Sequence, residues 1–209
     1  MTVAVTTTSL SWSCTPKTDG VKPLTPTNLS VERSMQSDEA SYELPDAVQA
    51  DMLRKLALYW DGQWFLTTAE EFGLEAAIRM NARVRASFGR IEMRTLLKAL
   101  GKKRAVDLPD AVRMLETYLQ VFMGNRLRAQ LSVVSDGEAT VTVSRCPAFE
   151  GARKANLERI DQACVACEGL WPAWLSVLLP DRATEVQFVL RQGKGNPHCH
   201  FTIRAAPPS

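Results

Sequence analysis

The stretch YWDGQWFLTTAEEFGLEAAIRMNARVRASFGRIEMRTLLKALG, residues 59–101, decides how this chain is organised. Large apolar side chains recur along it every three or four residues, which is the period of an α-helix that packs on one face. Gly73 and Gly89 weaken the helical pattern locally, so the stretch predicts two or three helices. These helices are expected to form the main packing surface of the domain.

Helical patterns continue on both sides of this stretch. Pro45 and Asp46 are typical of a helix N-terminus, and the helix that they start is expected to be interrupted or kinked at Asp61-Gly62. Gly101 predicts a helix end. Residues 107–124 predict another helix, which begins at an Asp and ends at a Gly.

The hydrophobic period changes from residue 126 onward. Two alternating segments rich in Val and Thr flank Asp136-Gly137, which is a β-hairpin signal. Helical composition returns over residues 149–167, and a Gly-Leu-Trp-Pro sequence is expected to interrupt it before one more apolar helical segment. Two further strands follow, separated by a Gly-rich turn. The order predicts an α+β fold with a helical N-terminal half and about four antiparallel strands covered by helices.

Composition limits the classes of function. Among 209 residues the net charge is +2, which does not favour nucleic acid or an acidic membrane as a partner. No apolar run is long enough to span a membrane, and the N-terminus lacks the pattern of a secretory signal. The Cys count is five, an odd number, and the spacing does not suggest a disulfide framework. A cytoplasmic protein with free thiols is therefore expected.

The N-terminal segment has a different composition from the rest. It is rich in Ser and Thr and poor in apolar residues, so it cannot bury enough surface to offset its chain entropy. We expect residues 1–44 to be a disordered tail and residues 45–209 to form a single domain that binds a small molecule.

Two groups of aromatic residues are candidates for the wall of a ligand pocket. Their flat rings can stack on a planar, partly apolar ligand, although plain core packing is an equally good interpretation. The residues are Tyr59, Trp60, Trp64 and Phe65 in the first group and Trp171 and Trp174 in the second. One specific hypothesis is that Trp64 and Trp174 approach the same cavity.

Cysteine and histidine residues near the C-terminus suggest a metal site. Cys164 and Cys167 are three apart on a predicted helix, and His198 and His200 are two apart on a predicted strand, so each pair shares a face. Together they predict a tetrahedral set suited to zinc or iron. The alternatives are a set made of Cys146, Cys164 (or Cys167) and Cys199, which uses the opposite face of the last strand, or buried thiols without metal and an exposed pair of histidines near a turn.

Scattered motifs resemble a known family. Trp64-Phe65, Glu70-Glu71-Phe72-Gly73, Gly89-Arg90-Ile91-Glu92-Met93-Arg94, Cys146-Pro147 and Cys199-His200-Phe201 carry the resemblance, which spans about residues 46–204. The pattern is similar to the L-2-amino-thiazoline-4-carboxylate hydrolase-like family, which is related to the 4-vinyl-reductase-type small-molecule-binding domain.

The resemblance implies an α+β fold shared with 4-vinyl-reductase-type domains and subunits of the TRAPP tethering complex. It implies a pocket for a small, often apolar molecule, and in some members a metal held by Cys. Relatives often carry a Cys on the penultimate strand, where TEVQFVL of this chain has none.

The family's activity implies ring-opening hydrolysis, by an activated thiol or a metal-bound water. Glu92 and Cys199 are the candidate catalytic residues, and Cys146, next to a Pro at a strand end, is a candidate nucleophile. Glu92 with Arg94 as a buried structural pair is the competing interpretation. The alternatives to a hydrolase are a non-catalytic carrier, sensor or assembly factor, for example in tetrapyrrole or bacteriochlorophyll metabolism, and a self-associating scaffold that forms a homodimer.

Overall fold

The computed structural model describes residues 43–207, apart from the side chain of Ala163. The predicted disordered tail lies almost wholly outside these residues. In the described part the helices are α1 (Asp46–Phe72), α2 (Leu74–Ala99), α3 (Leu108–Met123), α4 (Pro147–Lys154), α5 (Ile160–Ala163) and α6 (Ala166–Leu178). The strands are β1 (Arg128–Ser135), β2 (Glu138–Arg145), β3 (Thr184–Leu190) and β4 (Cys199–Ala205), and short 3-10 turns cover Gly124–Arg126 and Gln192–Lys194.

Residues 59–101 form the second half of α1 and all of α2. The two helices are separated at Gly73, whose φ of 85° lies in the region that favours glycine. The predicted interruption at Asp61-Gly62 is wrong, because α1 runs through both residues. Gly89 also lies inside a continuous helix. A single glycine costs a helix only about 1 kcal/mol, which packing readily offsets.

The predicted four-stranded antiparallel sheet is confirmed. Its strand order is β1-β2-β4-β3, and the Asp136-Gly137 turn joins β1 to β2 at the pair Ser135 and Glu138. The second hairpin adds to the first by pairing β4 with β2. The chain therefore forms one continuous sheet in which β2 and β4 are the central strands.

The core lies between one face of the sheet and helices α2, α3 and α6. Val141 on β2 and Phe201 and Ile203 on β4 are almost completely buried from the sheet side. Leu115 on α3 and Leu175 on α6 are equally buried from the helix side. None of the helices in residues 43–207 is long and apolar enough to cross a membrane.

Helix α6 corrects another expectation from the sequence. It continues through Gly169 and Pro172, where an interruption was predicted. A proline inside a helix costs about 3 kcal/mol. Burial of the large Trp171 and Trp174 side chains on both sides of Pro172 offsets this cost. Tertiary packing thus overrides the local helix-breaking signal.

Candidate functional site

A small polar cluster lies inside the apolar core, where helices α2, α3 and α6 meet. Glu92 on α2 is only 6% exposed, and its Oε2 accepts a 2.6 Å hydrogen bond from Trp174 Nε1 on α6. Its other oxygen, Oε1, lies 3.6 Å from Arg85 Nη2 on the same helix. Tyr118 on α3 is the fourth member, and its ring packs edge-on against that of Trp174 at 5.4 Å. We call these four residues the Glu92 cluster.

Close contact between α2 and α6 positions the Glu92 cluster. Gly89 lies three residues before Glu92, so both face α6. A Cβ at Gly89 would lie 2.8 Å from Leu170 Cδ1 and 3.2 Å from Trp174 Cδ1. The missing side chain therefore allows the Trp174 ring to come close enough for its indole nitrogen to reach the Glu92 carboxylate.

The electrostatics of the cluster depend on burial. Burial raises the pKa of the Tyr118 hydroxyl well above its usual range, and the negative charge of Glu92 adds to this effect. The hydroxyl therefore stays protonated, and it retains a hydrogen to donate. The Arg85–Glu92 pair has side chains that are 14% and 3% exposed, so Arg85 balances a carboxylate that is almost out of contact with water.

Two polar atoms of the cluster make no hydrogen bond of normal geometry, although the Tyr118 hydroxyl lies close to the Glu92 carboxylate and Glu92 Oε1 faces Arg85. They are Glu92 Oε1, which can only accept when the carboxylate is ionised, and the Tyr118 hydroxyl, which can donate and accept. An unsatisfied buried polar atom costs about 1–3 kcal/mol. Such a cost is tolerated where a water or a ligand completes the arrangement, so these atoms mark the candidate binding site.

Four thiols form a second group around the 3-10 turn Gln192–Lys194. Cys199 Sγ accepts a hydrogen bond from the Gln192 backbone N–H at 3.3 Å. A Cβ at Gly193 would lie 2.8 Å from Cys164 Sγ, so only glycine fits there without movement. Cys146 and Cys167 complete the group, and both pack against the core. None of these four cysteines is in a disulfide.

Burial and mutual proximity make three of these thiols, Cys146, Cys164 and Cys167, poor nucleophiles. Burial raises the pKa of Cys167 to about 12 and that of Cys164 to about 11, and the neighbouring thiols of the group add to both shifts. Burial also raises the pKa of Cys146, although the backbone N–H groups of Phe149 and Ala148 oppose it. Because the thiolate is the reactive form, Cys146 is poorly suited to the nucleophilic role suggested from the sequence.

Comparison with known proteins finds solved structures that are similar to this chain, but it assigns the chain to no family. No family model matches the chain, and no curated protein matches it. One similar solved structure is a trafficking protein particle complex subunit 3 from Naegleria fowleri, covalently bound to palmitic acid. It has a TM-score of 0.49 and 11% identity, and the alignment covers 76% of this chain and 98% of that chain.

Two other solved structures are similar at the same level of identity. The phenol-responsive sensory domain of the transcription activator PoxR, with phenol, gives a TM-score of 0.47 and 13% identity over 79% of this chain and 76% of that chain. A structure from work on heme distortion in the H-NOX family gives 0.38 and 13%, over 80% and 76%. At these values the function has to be argued from the site itself.

The predicted metal sets are not assembled as ligand groups. In residues 43–207 no three His, Cys, Asp or Glu side chains are placed to hold one metal ion. In the first set, His200 Nδ1 lies 3.0 Å from Thr142 Oγ1, on the sheet face opposite to buried Phe201. His198 precedes β4. Both histidines were predicted to lie on one strand, but β4 begins only at Cys199.

The two predicted aromatic groups lie in different environments. Tyr59, Trp60 and Trp64 project from α1 and are 61%, 70% and 60% exposed, while Phe65 is partly buried. Trp171 and Trp174 are 5% and 2% exposed, inside the core. The hypothesis that both groups line one cavity therefore requires a rearrangement of the described structure.

An open cavity of about 270 Å³ lies elsewhere, between α3 and β1. Leu119, Leu127 and Leu131 form its apolar wall, and Glu116 and Gln120 its polar rim. No tryptophan contributes to its lining. At this size it is slightly smaller than ligand pockets usually are.

Sequence reasoning missed Arg85 and Tyr118. Arg94, the predicted partner of Glu92, is exposed on the other side of α2. A signal for Arg85 was present, since residues 85 and 92 are seven apart and hence on one helical face. No local signal points to Tyr118, because its meeting with Glu92 depends on how α3 packs against α2.

Proposed function

We propose that this chain binds a small, partly apolar molecule, and that the polar group of this molecule hydrogen-bonds inside the Glu92 cluster. The observation that carries the proposal is the pair of buried atoms that make no hydrogen bond of normal geometry, Glu92 Oε1 and the Tyr118 hydroxyl. A ligand hydroxyl or amine can donate to the first and accept from the second. One polar group would therefore satisfy both atoms.

The surroundings of the cluster suit the apolar part of such a ligand. Tyr118 stacks on Phe122 with ring centroids 5.5 Å apart, and Trp174 packs edge-on against Trp171 at 4.9 Å. Aromatic faces around a few polar groups are typical of small-molecule sites. We therefore favour an aromatic or other planar ligand with one hydroxyl or amino group.

The same geometry supports a carrier or sensor more than a hydrolase. One oxygen of Glu92 is fixed by the Trp174 hydrogen bond and the other faces Arg85 at 3.6 Å, an arrangement that suits a stationary hydrogen-bond acceptor. The thiols at Cys164 and Cys167 are protonated near neutral pH. Zinc and iron are not part of the proposal, because the described residues do not assemble a set of metal ligands.

Paired ligands test the proposal. The purified protein is titrated with 2-naphthol and with naphthalene, which differ only in the hydroxyl, and its melting temperature and tryptophan fluorescence are followed. We expect 2-naphthol to raise the melting temperature with saturation and naphthalene to have a much smaller effect. The proposal is wrong if a broader set of hydroxylated and aminated aromatics produces no saturable shift.

Matched variants locate the site. Tyr118→Phe removes one buried hydroxyl that makes no hydrogen bond of normal geometry, so we expect the unliganded protein to keep or gain stability and to lose about five- to tenfold in affinity for the hydroxylated ligand. Tyr59→Phe makes the same chemical change on the exposed face of α1 and is expected to leave affinity unchanged. Equal affinity in both variants would place the ligand outside the Glu92 cluster.

A further inference from the structure

Helix α1 has one side that is fixed to the domain and an opposite side that is apolar and exposed. The inward side is fixed to the domain: Arg54 Nε donates to Val121 O at 2.6 Å, Asp51 pairs with Arg126 at 2.8 Å, and Thr68 is buried. The outward side carries a row of large apolar residues that remain 44–70% exposed. We call it the α1 outer face, and it consists of Val48, Met52, Leu53, Leu56, Tyr59, Trp60 and Trp64.

The residues of the α1 outer face share one side of the helix. They recur at spacings of three and four over residues 48–64, which places them in one stripe. Trp60 and Trp64 are in edge contact, with ring centroids 6.5 Å apart. A contiguous exposed apolar stripe normally has a partner, and residues 43–207 supply none for the outer face.

The area of the outer face fits a protein interface. A fully exposed aromatic side chain offers roughly 150–250 Å², so Tyr59, Trp60 and Trp64 together leave about 300–450 Å² open at their observed exposure. Four aliphatic residues add to this. The total approaches the roughly 800 Å² per partner of a standard interface and exceeds the apolar patches usual on monomers.

The distribution of charged residues on α1 limits the kinds of partner that could cover its outer face. The seven residues of the α1 outer face are all uncharged, and Lys55 borders them, with its Nζ 5.7 Å from the centroid of the Tyr59 ring. Helix α1 as a whole has five acidic and two basic residues, which disfavours an anionic membrane surface or a nucleic acid. A second copy of this face can meet it while Lys55 stays at the edge of the contact, with its charged end in water and its stem along the Tyr59 ring.

We propose that two copies of this chain pair through their α1 outer faces, about a two-fold axis that passes near Leu56 and Trp60. A two-fold axis brings the same patch of both copies together and closes the assembly at a dimer. With the axis perpendicular to α1, the helices run antiparallel and the stripe of each lies along that of the other. Trp60 of each copy is then shielded by the other copy.

Light scattering coupled to size-exclusion chromatography tests the interface on the full chain. We expect the wild type to elute at twice the mass of the chain, and Leu56→Glu and Trp60→Glu to elute as monomers with unchanged circular dichroism. Val134→Glu places the same charge at an exposed valine of β1 and is the matched control, expected to stay dimeric. Because Leu56 and Trp60 are solvent-exposed in the single chain, both variants are expected to fold.

A second measurement distinguishes self-association from coverage of the α1 outer face by another part of the chain or by another molecule. Acrylamide quenching is compared between the wild type and a Trp60→Phe, Trp64→Phe variant, and the difference reports on these two rings. We expect the rings to become protected as protein concentration rises. A monomeric wild type, a dimer that persists in Leu56→Glu and Trp60→Glu, or protection that is independent of concentration would each overturn the proposal.

Discussion

The two carboxylate oxygens of Glu92 have different surroundings, and only one of them accepts a hydrogen bond. Trp174 donates to one oxygen across the helix–helix contact, and Arg85 lies beside the other from one side of the same helix. A buried ion pair adds little net stability when it is complete, but removing one member leaves an uncompensated charge in the core. Loss of the Glu92 charge should therefore destabilise the folded protein, because the Arg85 guanidinium would remain in the core without a counter-charge.

We expect Glu92→Gln to lower the free energy of unfolding by about 3 kcal/mol, because Arg85 loses its counter-charge while the Trp174 hydrogen bond can persist. The double variant Arg85→Met, Glu92→Gln should be less destabilised than the sum of its single variants. Urea unfolding of the four proteins measures both quantities. Additive losses, or a loss in Glu92→Gln too small to resolve, would show that the pair is not coupled.

The contact between α2 and α6 is the element on which the Glu92 cluster depends. Gly89 weakens the helical pattern of the sequence, yet in the structure it is the residue over which the Leu170 and Trp174 side chains pack. Gly62 on α1 has no atom within 4 Å of the position that a Cβ would occupy. A glycine within a helical sequence pattern therefore marks close helix packing at Gly89 but an exposed position without such contacts at Gly62.

We expect Gly62→Ala to raise the stability of the protein by roughly 0.5–1 kcal/mol through helix propensity alone. Gly89→Ala gains the same propensity but has to displace Leu170 and Trp174, so we expect a net loss of about 1–2 kcal/mol. Thermal unfolding of the two variants measures the difference. Equal stabilisation in both would mean that α2 and α6 are less closely packed than described.

The whole molecule contains several buried acids that are neutral when folded. Burial raises the pKa of Cys164 to about 11 and of Cys167 to about 12, from an ordinary value of 9.0, and it also raises that of Tyr118. The unfolded chain releases these protons first. The stabilisation that they provide is complete below about pH 9 and is lost as pH rises toward the folded values.

We expect the melting temperature to fall progressively between about pH 9 and pH 11 under reducing conditions. Cys167→Ala removes one of the raised thiols, so its stability should fall less steeply over this range than that of the wild type. Any cavity left by the substitution is independent of pH and does not affect the slope. Parallel curves for the two proteins would contradict the assignment of Cys167.

The α+β class, the hairpin at Asp136-Gly137 and the break at Gly73 were all accessible from sequence, because each depends on local periodicity or on the backbone freedom of one residue. The continuity of α1 through Gly62 and of α6 through Pro172 was not accessible. Weak local penalties at these positions are outweighed by burial, which arises only when distant elements pack.

The sequence alone determined which segments are helical or extended and that Glu92 is a candidate site residue, since residue spacing and a motif resemblance suffice for both. Only the tertiary structure decided what surrounds Glu92. Its contacts with Tyr118 and Trp174 join residues from three helices, and no periodicity within one segment encodes such a meeting. The same applies to Trp60 and Trp64. The sequence predicts them to be pocket residues, but they lie on an exposed face of α1. Their exposure depends on what packs against that helix, which the local sequence does not specify.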